Sequence, residues 1–180
     1  MSRVKTKSPL VVNGWTIFAH PLFLDQLEVL MKQVQELRSK DPAGYTNKNA
    51  SKRLAAILRL AIEVIPQDPG RSEYRQGNTF GEENRHWCRT KFFQQFRLFF
   101  RFRAKERVIV YAWVNDEKTK RTYESQDDAY RVFARMLTKG NPPNDWDQLM
   151  NEARSADRRL HSDLSSFSEN NQTSVDTNKQ

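Results

Sequence analysis

Apolar positions in the first third of the chain recur at steps of three and four. In residues 21–38 the apolar positions are Phe23, Leu27, Leu30, Val34 and Leu37, with charged residues between them. This spacing predicts an amphipathic helix, and Pro21 suits its first turn. Residues 47–65 repeat the pattern and predict a second helix, which Pro66 ends. We expect the two helices to form a hairpin packed on the rest of the domain.

The apolar period changes from 3.6 to 2 beyond a polar loop at residues 67–84. Residues 87–93, 96–103 and 108–114 predict three strands. In the second strand, the apolar positions 98, 100 and 102 alternate with three arginines and Phe99, which is typical of a strand with one face in the core and one face in solvent. Short connections between the strands favour antiparallel pairing.

The last part of the chain predicts one more helix and a tail. Residues 127–139 fit a helix with Asp127 as its N-cap and Gly140 as its terminator, and a short turn follows around Trp146 and Leu149. We therefore expect an α+β fold in which the helix hairpin packs on a small antiparallel sheet, with a C-terminal helix added. The predicted organisation is a flexible N-terminus at 1–12, a domain at 13–153 and a disordered polar tail at 154–180.

Charge adds an expectation about partners. The 180-residue chain has a formal net charge of +8 and a pI near 9.7, which indicates an anionic partner. Between positions 71 and 121 there are thirteen Lys and Arg against six Asp and Glu, so the predicted sheet carries most of the surplus. A single cysteine, Cys88, and the lack of a long apolar run predict a cytoplasmic protein without disulfides or membrane spans.

The basic residues on neighbouring strands suggest a chemistry. Arg89 and Lys91 share a parity on the first strand, and Arg97 and Arg101 share one on the second, so adjacent strands can present their charges close together. Lysine, arginine and tyrosine side chains can cleave RNA without a metal, because one group takes the proton of the attacking ribose 2′-hydroxyl while others stabilise the charge on the phosphate. The product would be a 2′,3′-cyclic phosphate.

Other interpretations remain open on these residues alone. Charged residues on one strand face are most often a solvated surface. The same face would also suit a non-catalytic nucleic-acid-binding regulator or a subunit that docks an acidic protein. We expect no metal or other cofactor, because His86 and Cys88 supply two ligands where zinc needs three or four. Cys88 is expected to be a small buried residue, and Phe99, Phe100 and Phe102 to be core residues.

Several uncommon short sequence motifs at consistent spacing resemble those of the YhaV family of type II toxins. They are Asn-Gly-Trp at 13–15, Ala-His-Pro at 19–21, Trp-Cys-Arg-Thr-Lys-Phe at 87–92, Arg-Leu-Phe-Phe-Arg at 97–101 and Trp-Val-Asn-Asp-Glu at 113–117. Arg-Thr-Tyr at 121–123, Asp-Ala-Tyr at 128–130 and Gly-Asn-Pro-Pro at 140–143 continue the series. The resemblance covers about residues 12–150.

This resemblance implies a RelE-like fold and an endoribonuclease toxin that cleaves messenger RNA, with ribosome-bound transcript as one candidate substrate, and so inhibits growth. It implies an antitoxin of the PrlF (AbrB-like) type, and binding of operator DNA by the toxin–antitoxin complex to repress its own operon. The catalytic residues that it implies are Arg89, Lys91, Arg97, Arg121 and Tyr123. The further RNA-binding residues that we expect are Trp87, Arg101, Arg103 and Lys120.

Overall fold

A five-stranded sheet forms the centre of the computed structural model, which describes residues 7–119 and 128–176. The strands are β1 (Val11–Val12), β2 (Trp15–Ala19), β3 (Cys88–Phe92), β4 (Phe96–Arg103) and β5 (Val108–Val114), in the order β1-β2-β5-β4-β3. The three strands predicted from the alternating pattern are present, with bounds that differ by at most one residue. The α+β class is confirmed.

The sheet is mixed, so the prediction of a purely antiparallel sheet is wrong. Strand β2 runs parallel to β5, with Thr16 opposite Val108. A parallel pair requires a long crossover connection, and here most of the domain lies between the two strands. Strand β2 escaped prediction because it is short and only Thr16 interrupts its apolar run. Strand β1 pairs with β2, so residues 11 and 12 belong to the sheet and not to a flexible N-terminus.

Five α-helices occur in the described part of the chain. They are α1 (Pro21–Lys40), α2 (Asn49–Arg59), α3 (Ala129–Thr138), α4 (Trp146–Ser155) and α5 (Asp157–Asp176). The predicted second helix is shorter than expected and continues as a π turn at Leu60–Val64 and a 3₁₀ turn at Ile65–Gln67. Pro66 cannot donate a helical hydrogen bond, and this explains the change of winding.

The C-terminal third is more ordered than the sequence predicts. Asp128 caps α3 through the backbone N–H of Tyr130, whereas the predicted cap, Asp127, lies outside the described residues. The expected short turn near Trp146 is helix α4, and the expected disordered tail is largely helix α5. Helix α5 buries a narrow stripe of apolar residues, but most of its residues are polar. This polar composition is the reason that the sequence predicted a disordered tail. The stripe consists of Leu160, Leu164 and Phe167.

Helices cover both faces of the sheet. On one face, α1, α2 and α5 pack on a core that includes Leu98, Phe100, Ile109 and Tyr111. On the other face, α3 and α4 pack on Phe99, Val110, Ala112 and Trp113. Strand β4 is therefore buried on both sides, and the prediction of a half-solvated strand is wrong. Arg97 and Arg101 are only 5% and 9% exposed.

A buried histidine connects the two layers of helices. The Nδ1 atom of His20 accepts a hydrogen bond from the backbone N–H of Leu22 and so caps α1. Because Nδ1 is an acceptor, Nε2 carries the proton of the neutral ring and donates to Glu152 on α4, 2.5 Å away. His20 thereby fixes the start of α1 relative to α4.

We predict that the packing of α5 on α1 depends on pH. Asp163 of α5 faces Glu28 of α1, and burial followed by this neighbouring carboxylate raises the pKa of Asp163 to about 7. A raised pKa means that the folded state binds the proton more tightly, so the stabilisation is present at low pH and is lost as pH rises through about 7. Amide hydrogen exchange in α5, corrected for intrinsic rates, should therefore be faster at pH 8 than at pH 6.

Asp163→Asn removes the charge and should leave α5 protected at both pH values. The matched control is Asp147→Asn, since Asp147 is exposed on α4, and this variant should keep the wild-type pH dependence. Equal protection of wild-type α5 at pH 6 and pH 8 would contradict the prediction.

Candidate functional site

Strands β3 and β4 bring three predicted cations together. Their register places Lys91 opposite Arg97, while Arg89 is opposite Phe99. All three cations are therefore on the sheet face that α3 covers, and we call them the cation triad. In the described part of the chain, no carboxylate lies within ion-pair distance of any member. A cluster of cations without carboxylate partners is suited to an anionic ligand.

A tyrosine of α3 holds the two arginines of the triad. The Oη atom of Tyr130 accepts hydrogen bonds from Nε of Arg89 at 2.7 Å and from Nε of Arg97 at 3.3 Å. The ring of Tyr130 is buried and lies 5.2 Å from Phe80 and 5.8 Å from Phe99, measured between centroids. The phenol oxygen therefore fixes both guanidinium groups beside each other.

The arginines are also held by backbone carbonyls. Nη1 of Arg89 donates to the carbonyl of Glu73, and Nη1 of Arg97 donates to the carbonyls of Gln94 at 2.6 Å and Phe96 at 2.9 Å. Within the described residues, the Nη2 atoms of both arginines have no hydrogen-bond partner. Each guanidinium is thus oriented through Nε and Nη1, and Nη2 is available to an oxygen of a ligand.

Lys91 completes the triad from the outside. Its side chain is exposed and makes no hydrogen bond or ion pair with the residues that the structure describes. The ammonium group can therefore contact a ligand that is bound by the two less exposed arginines. This arrangement of one mobile and two oriented cations suits recognition of a phosphate.

A second basic group lies further along β4. The guanidinium of Arg101 lies 5.4 Å from the Trp87 ring centroid and 5.1 Å from that of Trp146, and Arg103 lies 4.6 Å from Trp146. Burial, and then the neighbouring Arg103, lower the pKa of Arg101 to about 10. Trp87 is completely buried, so its role here is to support Arg101. Arg103 is exposed and can contact a ligand directly.

Three predicted site residues, Lys120, Arg121 and Tyr123, lie outside the described residues. The chain that leads to them is anchored beside the triad by Asn115. Its Oδ1 accepts from the backbone N–H of Arg97 at 2.6 Å, and its Nδ2 donates to the carbonyls of Gln95 at 3.1 Å and Thr119 at 2.7 Å. Thr119, the last residue described before position 128, is therefore held near the backbone of Arg97.

Tyr130 and Asn115 are the site residues that sequence analysis missed. Tyr130 occupies an apolar position of its helix, and the helical pattern therefore indicates a core residue and not a site residue. The available signal was its hydroxyl, because a buried tyrosine normally has a hydrogen-bond partner. Asn115 follows a fully apolar strand, where a buried amide likewise requires partners.

Other chemistries find little support in the described residues. Burial raises the pKa of the Cys88 thiol to about 11, so this cysteine is the small buried residue predicted and not a thiolate nucleophile at neutral pH. No group of three or more His, Cys, Asp or Glu side chains in the described ranges is placed to hold a metal ion. None of the described helices combines the length and hydropathy needed to cross a bilayer.

Comparisons with known proteins agree with the resemblance seen in the sequence. Residues 17–154 match a family, Toxin_YhaV, that is described as a toxin with endonuclease activity of a toxin–antitoxin system. The chain is 43% identical over 146 residues to the "Ribonuclease toxin YhaV" of Escherichia coli (strain K12), which covers 80% of this chain and 95% of that protein. The "Toxin YhaV" of Escherichia coli O157:H7 has the same identity and coverage. No solved structure gives a significant match.

We predict that Tyr130→Phe lowers the free energy of unfolding by about 2–3 kcal/mol, because the change leaves two guanidinium Nε–H groups without their acceptor. Tyr111→Phe is the matched control. Tyr111 is also buried, and its hydroxyl donates a neutral hydrogen bond to the carbonyl of Ala61 at 2.6 Å, so its loss should cost only about 1 kcal/mol. Denaturant unfolding measures both values.

A double-mutant cycle with Arg89→Ala tests the cause of this effect. The two changes should be less than additive, with a coupling energy of roughly 1 kcal/mol, because each removes the same hydrogen bond. Strict additivity would show that the hydroxyl of Tyr130 does not stabilise the fold through its hydrogen bond to Arg89.

Proposed function

Since the chain belongs to the YhaV family of toxin–antitoxin toxins with endonuclease activity, we propose that it is a ribonuclease that cleaves messenger RNA at the cation triad. The observation that carries this proposal is that Arg89 and Arg97 both donate hydrogen bonds to Tyr130. The exposed Lys91 lies opposite Arg97 on the neighbouring strand. The site combines oriented guanidinium groups with a free ammonium group, and such a combination binds a phosphodiester more readily than it binds any uncharged ligand.

The proposed reaction needs no metal ion. The ribose 2′-oxygen attacks the adjacent phosphorus and gives up its proton, the new 2′-O–P bond forms, and the P–O5′ bond breaks as the leaving 5′-oxygen takes up a proton. Arg89, Lys91 and Arg97 stabilise the negative charge that develops on the phosphate oxygens. The products are a 2′,3′-cyclic phosphate and a 5′-hydroxyl.

Proton transfers are assigned to the triad and to the adjoining segment. We propose Lys91 or Tyr123 as the base and Arg121 or Tyr123 as the acid. The anchoring of residue 119 by Asn115 beside Arg97 supports this assignment, because Arg121 and Tyr123 follow residue 119 closely in the sequence. Flanking phosphates would be bound by Arg101, Arg103 and Lys120. The ring of Trp87 would contact the Arg101 guanidinium and keep it in position.

The wider proposal follows the family. We propose the RelE-like arrangement of helices on a sheet, a cytoplasmic location and a PrlF-type antitoxin of the AbrB-like class. Ribosome-bound transcript is the proposed substrate form, and the toxin–antitoxin complex is proposed to repress its own operon by binding operator DNA. The net charge of +8 supports an acidic antitoxin and nucleic-acid ligands alike.

We predict that Lys91→Gln reduces the rate of RNA cleavage by roughly 10²–10⁴-fold, the range expected for a group that transfers a proton. Lys91 is exposed, so this variant should fold normally. Lys105→Gln is the matched control, since Lys105 is an exposed lysine between β4 and β5 that changes net charge equally, and it should cleave at nearly the wild-type rate. The measurement maps the ends of naked RNA incubated with EDTA and of messenger RNA on translating ribosomes.

Arg97→Lys keeps the charge and tests the guanidinium geometry. We expect a rate loss of roughly 10²–10³-fold, because an ammonium group cannot satisfy the Tyr130 and carbonyl contacts and a phosphate together. If messenger RNA is cleaved on translating ribosomes and naked RNA is not, the substrate is ribosome-bound transcript. Tight, salt-sensitive RNA binding without cleavage in either setting would contradict the enzyme proposal and favour a non-catalytic regulator.

A further inference from the structure

An exposed phenylalanine stands at the turn beside the cation triad. The turn between β3 and β4 consists of residues 93–95, and Phe93 is 54% exposed. Within the described residues, the other exposed large apolar side chains are two valines, Val11 and Val29. The turn is two residues from Lys91 and two from Arg97 in sequence, so a half-exposed aromatic ring follows one member of the triad and precedes another.

The backbone of this turn is unfavourable for a phenylalanine. Phe93 and Gln94 have φ values of 45° and 62°, in the left-handed region where glycine or asparagine is preferred. A bulky residue there is strained. Glycine at position 93 would fit the backbone better, so the geometry of the turn does not explain the aromatic side chain.

Two backbone carbonyls of the turn accept hydrogen bonds from residues of the site. The carbonyl of Gln94 accepts from Nη1 of Arg97 and that of Gln95 accepts from Nδ2 of Asn115. The Phe93 ring itself lies 5.6 Å from the ring of Phe92, in an edge-on arrangement. Phe93 is thus presented from a fixed position, two residues beyond Lys91.

We propose that Phe93 is a base-stacking residue, on which a nucleobase next to the scissile phosphate of a single-stranded RNA stacks. This inference rests on the proposed function. Aromatic rings beside a cationic track are the usual means of binding single strands, because every base has a face that can stack. The exposed neighbours of Phe93 along the hairpin are Lys91, Gln94 and Gln95, which suit a nucleotide better than the apolar surface of a protein partner.

The test measures the affinity for a fluorescently labelled 2′-O-methyl RNA, which lacks the attacking hydroxyl, and the cleavage kinetics of ordinary RNA. Phe93→Ala and Phe93→Gly should weaken binding by about 5- to 150-fold, the range for loss of one stacked base, whereas Phe93→Trp should bind as wild type does. At saturating RNA the cleavage rate should change little, so the effect falls on KM.

Two controls separate stacking from other causes. Val11→Ala removes an exposed apolar side chain from β1, at the edge of the sheet opposite β3, so its affinity should remain that of wild type. The weakening caused by Phe93→Ala should be the same at low and high salt, because stacking releases no counterions, whereas the weakening caused by Lys91→Gln should shrink as salt rises.

The outcomes distinguish this inference from the proposed function. Unchanged RNA affinity and KM in Phe93→Ala and Phe93→Gly, with wild type that binds and cleaves, would overturn the inference alone. If these variants keep RNA binding but are no longer neutralised by the co-expressed antitoxin, Phe93 contacts the protein partner and the inference is again wrong. Wild type that neither binds nor cleaves RNA would overturn the proposed function and the inference together.

Discussion

The shared acceptor at Tyr130 Oη is the contact on which the site depends. It joins the first turn of α3 to β3 and β4 at once, through Nε of Arg89 and Nε of Arg97. Without a polar atom at that point, an apolar face of α3 would pack on two guanidinium groups. This packing would be strongly unfavourable, because it would bury charges without hydrogen-bond partners. With the phenol in place, α3 can cover the sheet while the two charges stay fixed beside each other.

The structure combines two demands on strand β4 that usually conflict. Its side chains belong to the core on both faces, yet three of its eight residues are arginines. Arg97 is accommodated by hydrogen bonds to Tyr130 and to backbone carbonyls, and Arg101 by two indole rings and the carbonyl of Asn144. Positive charge is therefore built into rigid strands and not only displayed on mobile surface side chains, which favours precise placement of a phosphate.

Local patterns predicted the parts of the fold that local physics decides. Alternation placed β4 correctly, a continuous apolar run placed β5, and helical spacing placed α1. The parallel pairing of β2 with β5, by contrast, depends on a partner some ninety positions away, which no local period reveals. Helix α5 was not predicted for a related reason. Its narrow apolar stripe stabilises the helix only when the stripe packs on α1.

The site was predictable to a similar extent. Parity alone brought Lys91 and Arg97 to one face, and the register agrees. Parity could not show that α3 would cover that face, so it missed Tyr130 and took the arginines for solvated residues. Phe93 was missed because a turn residue has no period, and its significance appears only from its exposure and its positive φ.

The most direct test of the central claim is a structure of the protein with a short 2′-O-methyl RNA bound. The account predicts one phosphate within hydrogen-bond distance of Lys91 Nζ and of an Nη2 atom of Arg89 or Arg97, with no metal ion between them. Phosphates bound only at Arg101 and Arg103, or a phosphate bridged to the protein by a divalent ion, would contradict it.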